Sequence, residues 1–182
     1  MLNGLIKEFI AEPFEDYRGE LWTTWKKDDF DLEFNHDKIS TSRKNVIRGI
    51  HGDDKSWKLA TCVYGEIYFV VVDNRKKSET YLEWDSTILS DSNKKSVLIP
   101  PGYGNGHCVL SEHAIFSYKW SYEGEYIDAD QQFTIRWDDS RLNIDWPIDN
   151  PILSRRDKNA QLINDKAKNL DFYEQYNIEV KK

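Results

Sequence analysis

The sequence predicts an all-β domain, a sandwich or a barrel, and three observations carry that prediction. Short apolar runs rich in β-branched and aromatic residues recur along the chain, clusters of Gly, Pro, Asn and Asp separate them, and helical periodicity is almost absent before Asp157. Aromatic residues make up 14% of the chain, with seven Trp and ten Tyr. Such side chains pack on pleated, half-buried surfaces and line pockets for flat or sugar-like ligands. A length of 182 residues suits one domain with a real core.

Taken in order, Phe14-Glu-Asp-Tyr-Arg-Gly-Glu-Leu-Trp places a turn, Asp16 to Gly19, between two strand-like segments, and puts Arg18 at that turn. Residues 26–35 mix charges and turn-formers and read as a connector. An extended segment then runs from His36 to Arg48. Lys58 to Gly65 and Glu66 to Asp73 read as a hairpin bent at Gly65. Thr80–Trp84, Ser96–Pro100, His107–Ser111 and Ala114–Trp120 continue the strand series. After Asp157 the composition shifts, and Ala160, Ile163 and Ala167 fall at helical spacing, so residues 158–182 are expected as a C-terminal extension with a short amphipathic helix on a 1–157 domain.

The charge balance restricts partners. With 25 basic and 32 acidic residues the net charge is -7, which disfavours nucleic acid as a partner but leaves room for a local cationic site holding one diphosphate. No apolar run approaches the roughly 18 residues of a membrane span, and no basic-then-apolar leader is visible, so no membrane partner and no signal peptide are expected. Cys62 and Cys108 sit in apolar strand-like runs and read as buried free thiols, which fits a reducing cytoplasm.

The stretch Val46-Ile-Arg-Gly-Ile-His-Gly-Asp-Asp54 concentrates the chemistry, with Arg48 and His51 expected to enter one cavity from a strand end. A lone His beside Gly is ordinarily a loop residue. The candidate constellation is His51, Lys58 and Tyr118, supported by Arg18, Arg48 and Arg156: an imidazole is the usual general base, and a phenol aligned with substrate can act as acid. Against this, tyrosines in a β domain mostly cap the core, a lysine such as Lys58 is ordinarily a solvated strand end, and loop arginines are ordinarily surface charges.

The ordered motifs Phe14-x-Asp16-x-Arg18-Gly19, Arg48-Gly49-x-His51, Lys58-Leu59, Gly65-Glu66, Val72-Asp73-x-Arg75-x-x-Ser78-x-Thr80, Leu89-Ser90, Ile99-Pro100-x-Gly102, Tyr118-Lys119, Trp137-Asp138-Asp139, Ile144-x-Trp146-Pro147 and Leu153-Ser154-x-x-Asp157 resemble the dTDP-4-dehydrorhamnose 3,5-epimerase family. The resemblance implies a cupin-type β-barrel (jelly roll) with short peripheral helices. It also implies a homodimer with strand exchange, no metal, no cofactor, and a cytoplasmic bacterial isomerase. Its substrate would be a nucleotide-diphosphate 4-keto sugar. The C4 carbonyl acidifies the hydrogens on C3 and C5, so a base removes one, an enolate forms, and an acid reprotonates the opposite face. By resemblance His51 is the base, Tyr118 the acid, Lys58 the cation beside the keto oxygen, and Asp157 the carboxylate paired with the base. Arg18, Arg48 and Arg156 would hold the diphosphate. Substrate contacts are also expected at His36, Lys38, Asn105 and His107.

Departures from the family pattern bear on specificity. His36-Asp37-Lys38 replaces a pair that reads the thymine edge, Thr23 replaces a carboxylate, Gly104-Asn105-Gly106-His107 alters a turn, the loop after His51 is shorter, and the loop from Tyr122 to Gln132 is longer. With Gly52-Asp53-Asp54, these resemble a branch of GDP-4-keto-heptose 3,5-epimerases of capsule polysaccharide biosynthesis. The competing readings are dTDP-4-dehydrorhamnose 3,5-epimerase, a sugar-nucleotide 3,4-ketoisomerase, a non-enzymatic sugar-nucleotide-binding module, and a metal-dependent cupin. The last is disfavoured by a sequence with only His36, His51, His107 and His113 and no His-x-His.

Overall fold

The computed structural model describes residues 1–163. Its strands are β1 (Lys7–Ile10), β2 (Phe14–Asp16), β3 (Gly19–Leu21), β4 (His36–Arg43), β5 (Ile47–Gly52), β6 (Trp57–Tyr64), β7 (Glu66–Asp73), β8 (Trp84–Ser90), β9 (Lys95–Ile99), β10 (Tyr103–Val109), β11 (His113–Ser121) and β12 (Phe133–Thr134), followed by one helical turn, α1 (Arg155–Lys158). Single turns of 3-10 helix lie at Leu2–Gly4 and Lys27–Asp29. Two five-stranded sheets, ordered β1-β9-β6-β11-β4 and β12-β5-β10-β7-β8, face each other, and β2 pairs with β3 alone. This is a jelly-roll-like sandwich of the expected all-β class, open along its edges rather than closed into a barrel.

The sequence of each strand explains its place. In β7, Ile67, Phe69 and Val71 join Ala60, Cys62, Val97, Ile99 and Phe116 in the core between the sheets, while Val70 and Val72 join Ile47, Ile50 and Cys108 on the other face. That second face is covered by Ile135, Leu142 and Trp146 of the C-terminal segment, so β7 is apolar on both sides. In β4, by contrast, Asp37, Ile39 and Thr41 are exposed and His36, Lys38 and Ser40 turn inward.

Three expectations are corrected. Gly65 does not bend a hairpin, because β6 pairs with β9 and β11 while β7 pairs with β8 and β10. The glycine, at φ 78°, passes so close to the His113 carbonyl that a Cβ would lie 2.2 Å from it, and the chain crosses from one sheet to the other at this point. The strand expected from Thr80 begins only at Trp84. Instead, the Asp73 carboxylate accepts from the Arg75 backbone N–H (2.9 Å), from Arg75 Nε (2.9 Å) and from Thr80 Oγ1 (2.6 Å), which folds the segment into turns. Residues 159–163 of the expected C-terminal helix are not helical; Ile163 instead donates its N–H to Asp139 at 2.5 Å. The remainder of that helix lies outside the described residues.

Cys62 and Cys108 are both buried and unpaired, as expected. Among the described residues, no helix is long and apolar enough to cross a membrane.

Candidate functional site

A cavity of about 260 Å³ opens between the two sheets at one end of the sandwich. One wall comes from β5 and β10, and here an irregularity matters. Arg48 and His51 are an odd number of residues apart, so in a regular strand they would point to opposite faces. In the structure Arg48 stands opposite His107 and His51 opposite Asn105, so Gly49 and Ile50 together face Gly106 alone. This β-bulge reverses the alternation and turns both side chains into the cavity. It depends on glycine at position 49, where φ is 118° and a Cβ would lie 2.5 Å from the Gly106 Cα.

The opposite wall is a row of cross-strand neighbours. Tyr118 lies beside Lys38 on one side and Ala60 on the other, Trp120 beside Lys58, and Lys58 beside Ile99. Tyr126, Ala129 and Gln132 from the long loop and Ser154, Arg156 and Asp157 from the α1 turn complete the lining.

His51 and Asp157 form a dyad in which Nε2 is 2.6 Å from Oδ1. Asp157 is 2% exposed. It is fixed by a reciprocal cap: Ser154 Oγ donates to Asp157 Oδ2 at 2.8 Å and accepts from the Asp157 backbone N–H at 3.1 Å. Burial pushes Asp157 up, but the hydrogen bond and charge of His51, with Ser154 and Arg156, bring it below the usual carboxylate range. Burial lowers His51 more than the Asp157 hydrogen bond raises it, and Arg156 lowers it further, so the ring is neutral at pH 7 and able to accept a proton.

Lys58 is 5% exposed, with Nζ 3.4 Å from Asp53 Oδ2 and 4.3 Å from the centre of the Trp120 ring. Burial draws its ammonium down to about 8 in spite of the Asp53 charge. Tyr118 is raised by burial, opposed by Lys38, and stays protonated. His107 is pushed down to about 3 by burial and by Arg48 and His51, and stays neutral. Arg156 donates from Nε to Thr134 Oγ1 at 2.8 Å, and Arg48 donates from Nε to Ser42 Oγ on β4 at 2.9 Å. Lys38 meets the Tyr126 hydroxyl and lies 3.3 Å from Asp128 Oδ1. Four cations, Lys38, Arg48, Lys58 and Arg156, therefore line one cavity of an acidic protein, which favours an anionic ligand.

Of the residues singled out in the sequence, His51, Lys58, Tyr118, Asp157, Arg48, Arg156, Lys38, Asn105 and His107 share this cavity. Two do not. His36 packs behind it, its ring 4.3 Å from that of Tyr126. Arg18 lies on the β2–β3 hairpin, paired with Asp16 and largely exposed, because that hairpin joins neither sheet. The lining also includes residues that sequence reasoning passed over: Trp120, Tyr126, Gln132 and Ser154, with Asp53 behind Lys58. The Ser154-x-x-Asp157 spacing is a capping signature that could have marked Ser154. Among the described residues, no three His, Cys, Asp or Glu side chains converge as a metal-ligand set.

Comparison with known proteins places the chain among nucleotide-sugar epimerases. The model of the dTDP-4-dehydrorhamnose 3,5-epimerase family matches residues 2–165. A dTDP-4-dehydrorhamnose 3,5-epimerase of Shigella flexneri is 39% identical over 163 residues, covering 84% of this chain and 88% of the relative. A dTDP-4-dehydrorhamnose 3-epimerase of Streptomyces niveus is 39% identical over 128 residues, covering 69% of this chain and 60% of the relative. The crystal structure of the 3,5-epimerase of Bacillus anthracis strain Ames with TDP and PPi bound superposes with a TM-score of 0.81 at 33% identity, covering 87% of this chain and 94% of that one.

Proposed function

Because the chain belongs to the dTDP-4-dehydrorhamnose 3,5-epimerase family, we propose that it inverts C3 and C5 of a dTDP-linked 4-keto-6-deoxy sugar. The observation that carries this reading is the placement of the His51–Asp157 dyad on one wall of the cavity and Tyr118 with Lys58 on the other. Inversion needs a base on one face of the sugar and an acid on the other, and two facing sheets supply them. Neutral His51 removes the hydrogen next to the carbonyl, and its positive charge is then balanced by Asp157. The Lys58 ammonium stabilises the enolate oxygen as charge develops there. The Tyr118 hydroxyl, kept protonated by burial, delivers the proton to the opposite face. Arg48, Arg156 and Lys38 favour the diphosphate.

The relative and the bound nucleotide of the similar structure support dTDP. A GDP-linked 4-keto-heptose is the second reading, and it rests on His36-Asp37-Lys38 and Gly52-Asp53-Asp54. The deciding experiment is incubation with dTDP- and GDP-linked 4-keto sugars in deuterium oxide, followed by NMR. Deuterium at C3 and C5 supports the full epimerase, and deuterium at one carbon a single-centre enzyme. No incorporation with any of these substrates would sink the reading.

The same reading includes a homodimer in which the β2–β3 arm reaches a second copy. Phe14 is 64%, Tyr17 97% and Leu21 72% exposed on a hairpin that pairs only with itself. Covering them would carry Arg18 towards the partner's cavity. Sedimentation of the wild type as a monomer at micromolar concentration would remove this part.

A further inference from the structure

We propose that Asp53 is a positioning residue that keeps Lys58 charged and aimed into the cavity, so that the site contains a second buried acid–base couple besides His51–Asp157. This rests on the epimerase reading for its consequence, though not for its geometry.

Asp53 is 3% exposed and sits in the turn directly after β5. Its Oδ1 accepts from the backbone N–H groups of Lys55 at 3.0 Å and Ser56 at 2.6 Å, and its own carbonyl accepts from Gly102 N–H at 2.8 Å. These bonds fix the carboxylate and leave Oδ2 buried with no hydrogen-bond partner among the described residues, 3.4 Å from Lys58 Nζ. A buried acceptor without a donor is unfavourable. Here it is held at a distance from which a small movement of Nζ would close the bond.

The other charges near Lys58 act against its ammonium. Arg156 from α1 and Lys38 from β4 repel it, and His51 faces it across the cavity; Tyr118 and Tyr126 complete its surroundings, and the Trp120 ring gives it one favourable cation–π contact. Burial also works against the charge. Asp53 is the carboxylate that offsets them. Without it, Lys58 would enter the neutral range as a free amine, and a neutral amine cannot balance an enolate. Asp53 belongs to the Gly52-Asp53-Asp54 turn that follows His51 directly.

The test is a titration of Lys58 by NMR in protein carrying carbon-13 lysine, with the signal assigned by its loss in Lys58→Arg. Asp53→Asn keeps an oxygen for the Lys55 and Ser56 N–H groups while removing the charge. The expected result is a midpoint for Lys58 lowered by about one pH unit or more, since an opposite charge at this range shifts a group by roughly 1–3 units. Asp53→Glu should restore part of the shift. In turnover, the alkaline limb of kcat/KM should move to lower pH in Asp53→Asn with KM little changed. An unchanged Lys58 midpoint in a cooperatively folded Asp53→Asn protein overturns the proposal. Should that variant not fold, the wild type decides: the Asp53 carboxyl carbon must report the Lys58 step, and its silence counts against the couple. Absence of turnover on every sugar nucleotide would remove the epimerase reading while leaving this titration standing.

Discussion

His51 Nε2 stands 2.6 Å from Asp157 Oδ1, and because a carboxylate only accepts, the imidazole donates through Nε2 and keeps its lone pair on Nδ1. Asp157 thus selects the tautomer, while burial and the nearby Arg156 keep the ring neutral. His51→Asn should lower kcat by about 10²–10⁴-fold, the usual contribution of a general base. Deuterium exchange at C3 and C5 should fall with it. Asp157→Asn should lower the rate by a comparable factor with the fold intact, because an amide can donate to Nε2 and reverse the tautomer. Exchange at the wild-type rate in the His51 variant would reassign the base.

Tyr118→Phe should separate abstraction from inversion. The ring packs 5.1 Å from Phe116 and 5.7 Å from Trp120, contacts that phenylalanine keeps. Exchange at the acidified carbon should persist while formation of inverted product falls by about 10²-fold or more. NMR of the product mixture reads both quantities from one sample.

The pH–rate profile should have displaced limbs. His51 is lowered first by burial, so the acid limb should lie below the roughly 6.5 of an ordinary histidine. Lys58 places the alkaline limb near about 8. A profile of kcat/KM between pH 4 and 10 measures both in the free enzyme.

Stability should fall with acidification through His107. Its folded value of about 3 lies below the roughly 6.5 of the unfolded chain, so between these values the unfolded state binds the extra proton. The contribution is fully present above the unfolded value and is lost as pH falls towards the folded one. Urea midpoints from pH 7 to pH 4 should drop in the wild type and less steeply in His107→Gln; equal slopes would contradict the assignment.

Gly49→Ala should cost about 1–3 kcal/mol, because it forces a Cβ onto a positive φ and into the backbone of Gly106. Activity should fall by more than the stability loss explains, since the bulge sets the direction of His51. Thermal melting together with kcat on the folded fraction checks this.

Much of the site was legible because its residues carry chemistry in their types and order. His51, Lys58, Tyr118 and Asp157 are marked by motif. Runs of β-branched and aromatic residues bounded by turn-formers mark most of the strands. Arg18 illustrates the limit: its motif marks it, yet in one chain its hairpin pairs with nothing that would bring it to the cavity. Trp120 and Tyr126 carry no local mark, because an aromatic in a β protein has no signal distinguishing a cavity wall from a surface, and the sequence around Asp53 does not show that its carboxylate lies beside Lys58.

The sequence by itself determined the all-β class, the buried thiols and the residue types of the site, all properties set by residue type and local order along the chain. Tertiary structure decided which strands share a sheet, how Gly65 carries the chain between sheets, and how the bulge at Gly49 turns Arg48 and His51 to one side. The physical reason is that pairing and register depend on contacts between strands far apart in the chain. A one-residue change in register moves a side chain to the opposite face.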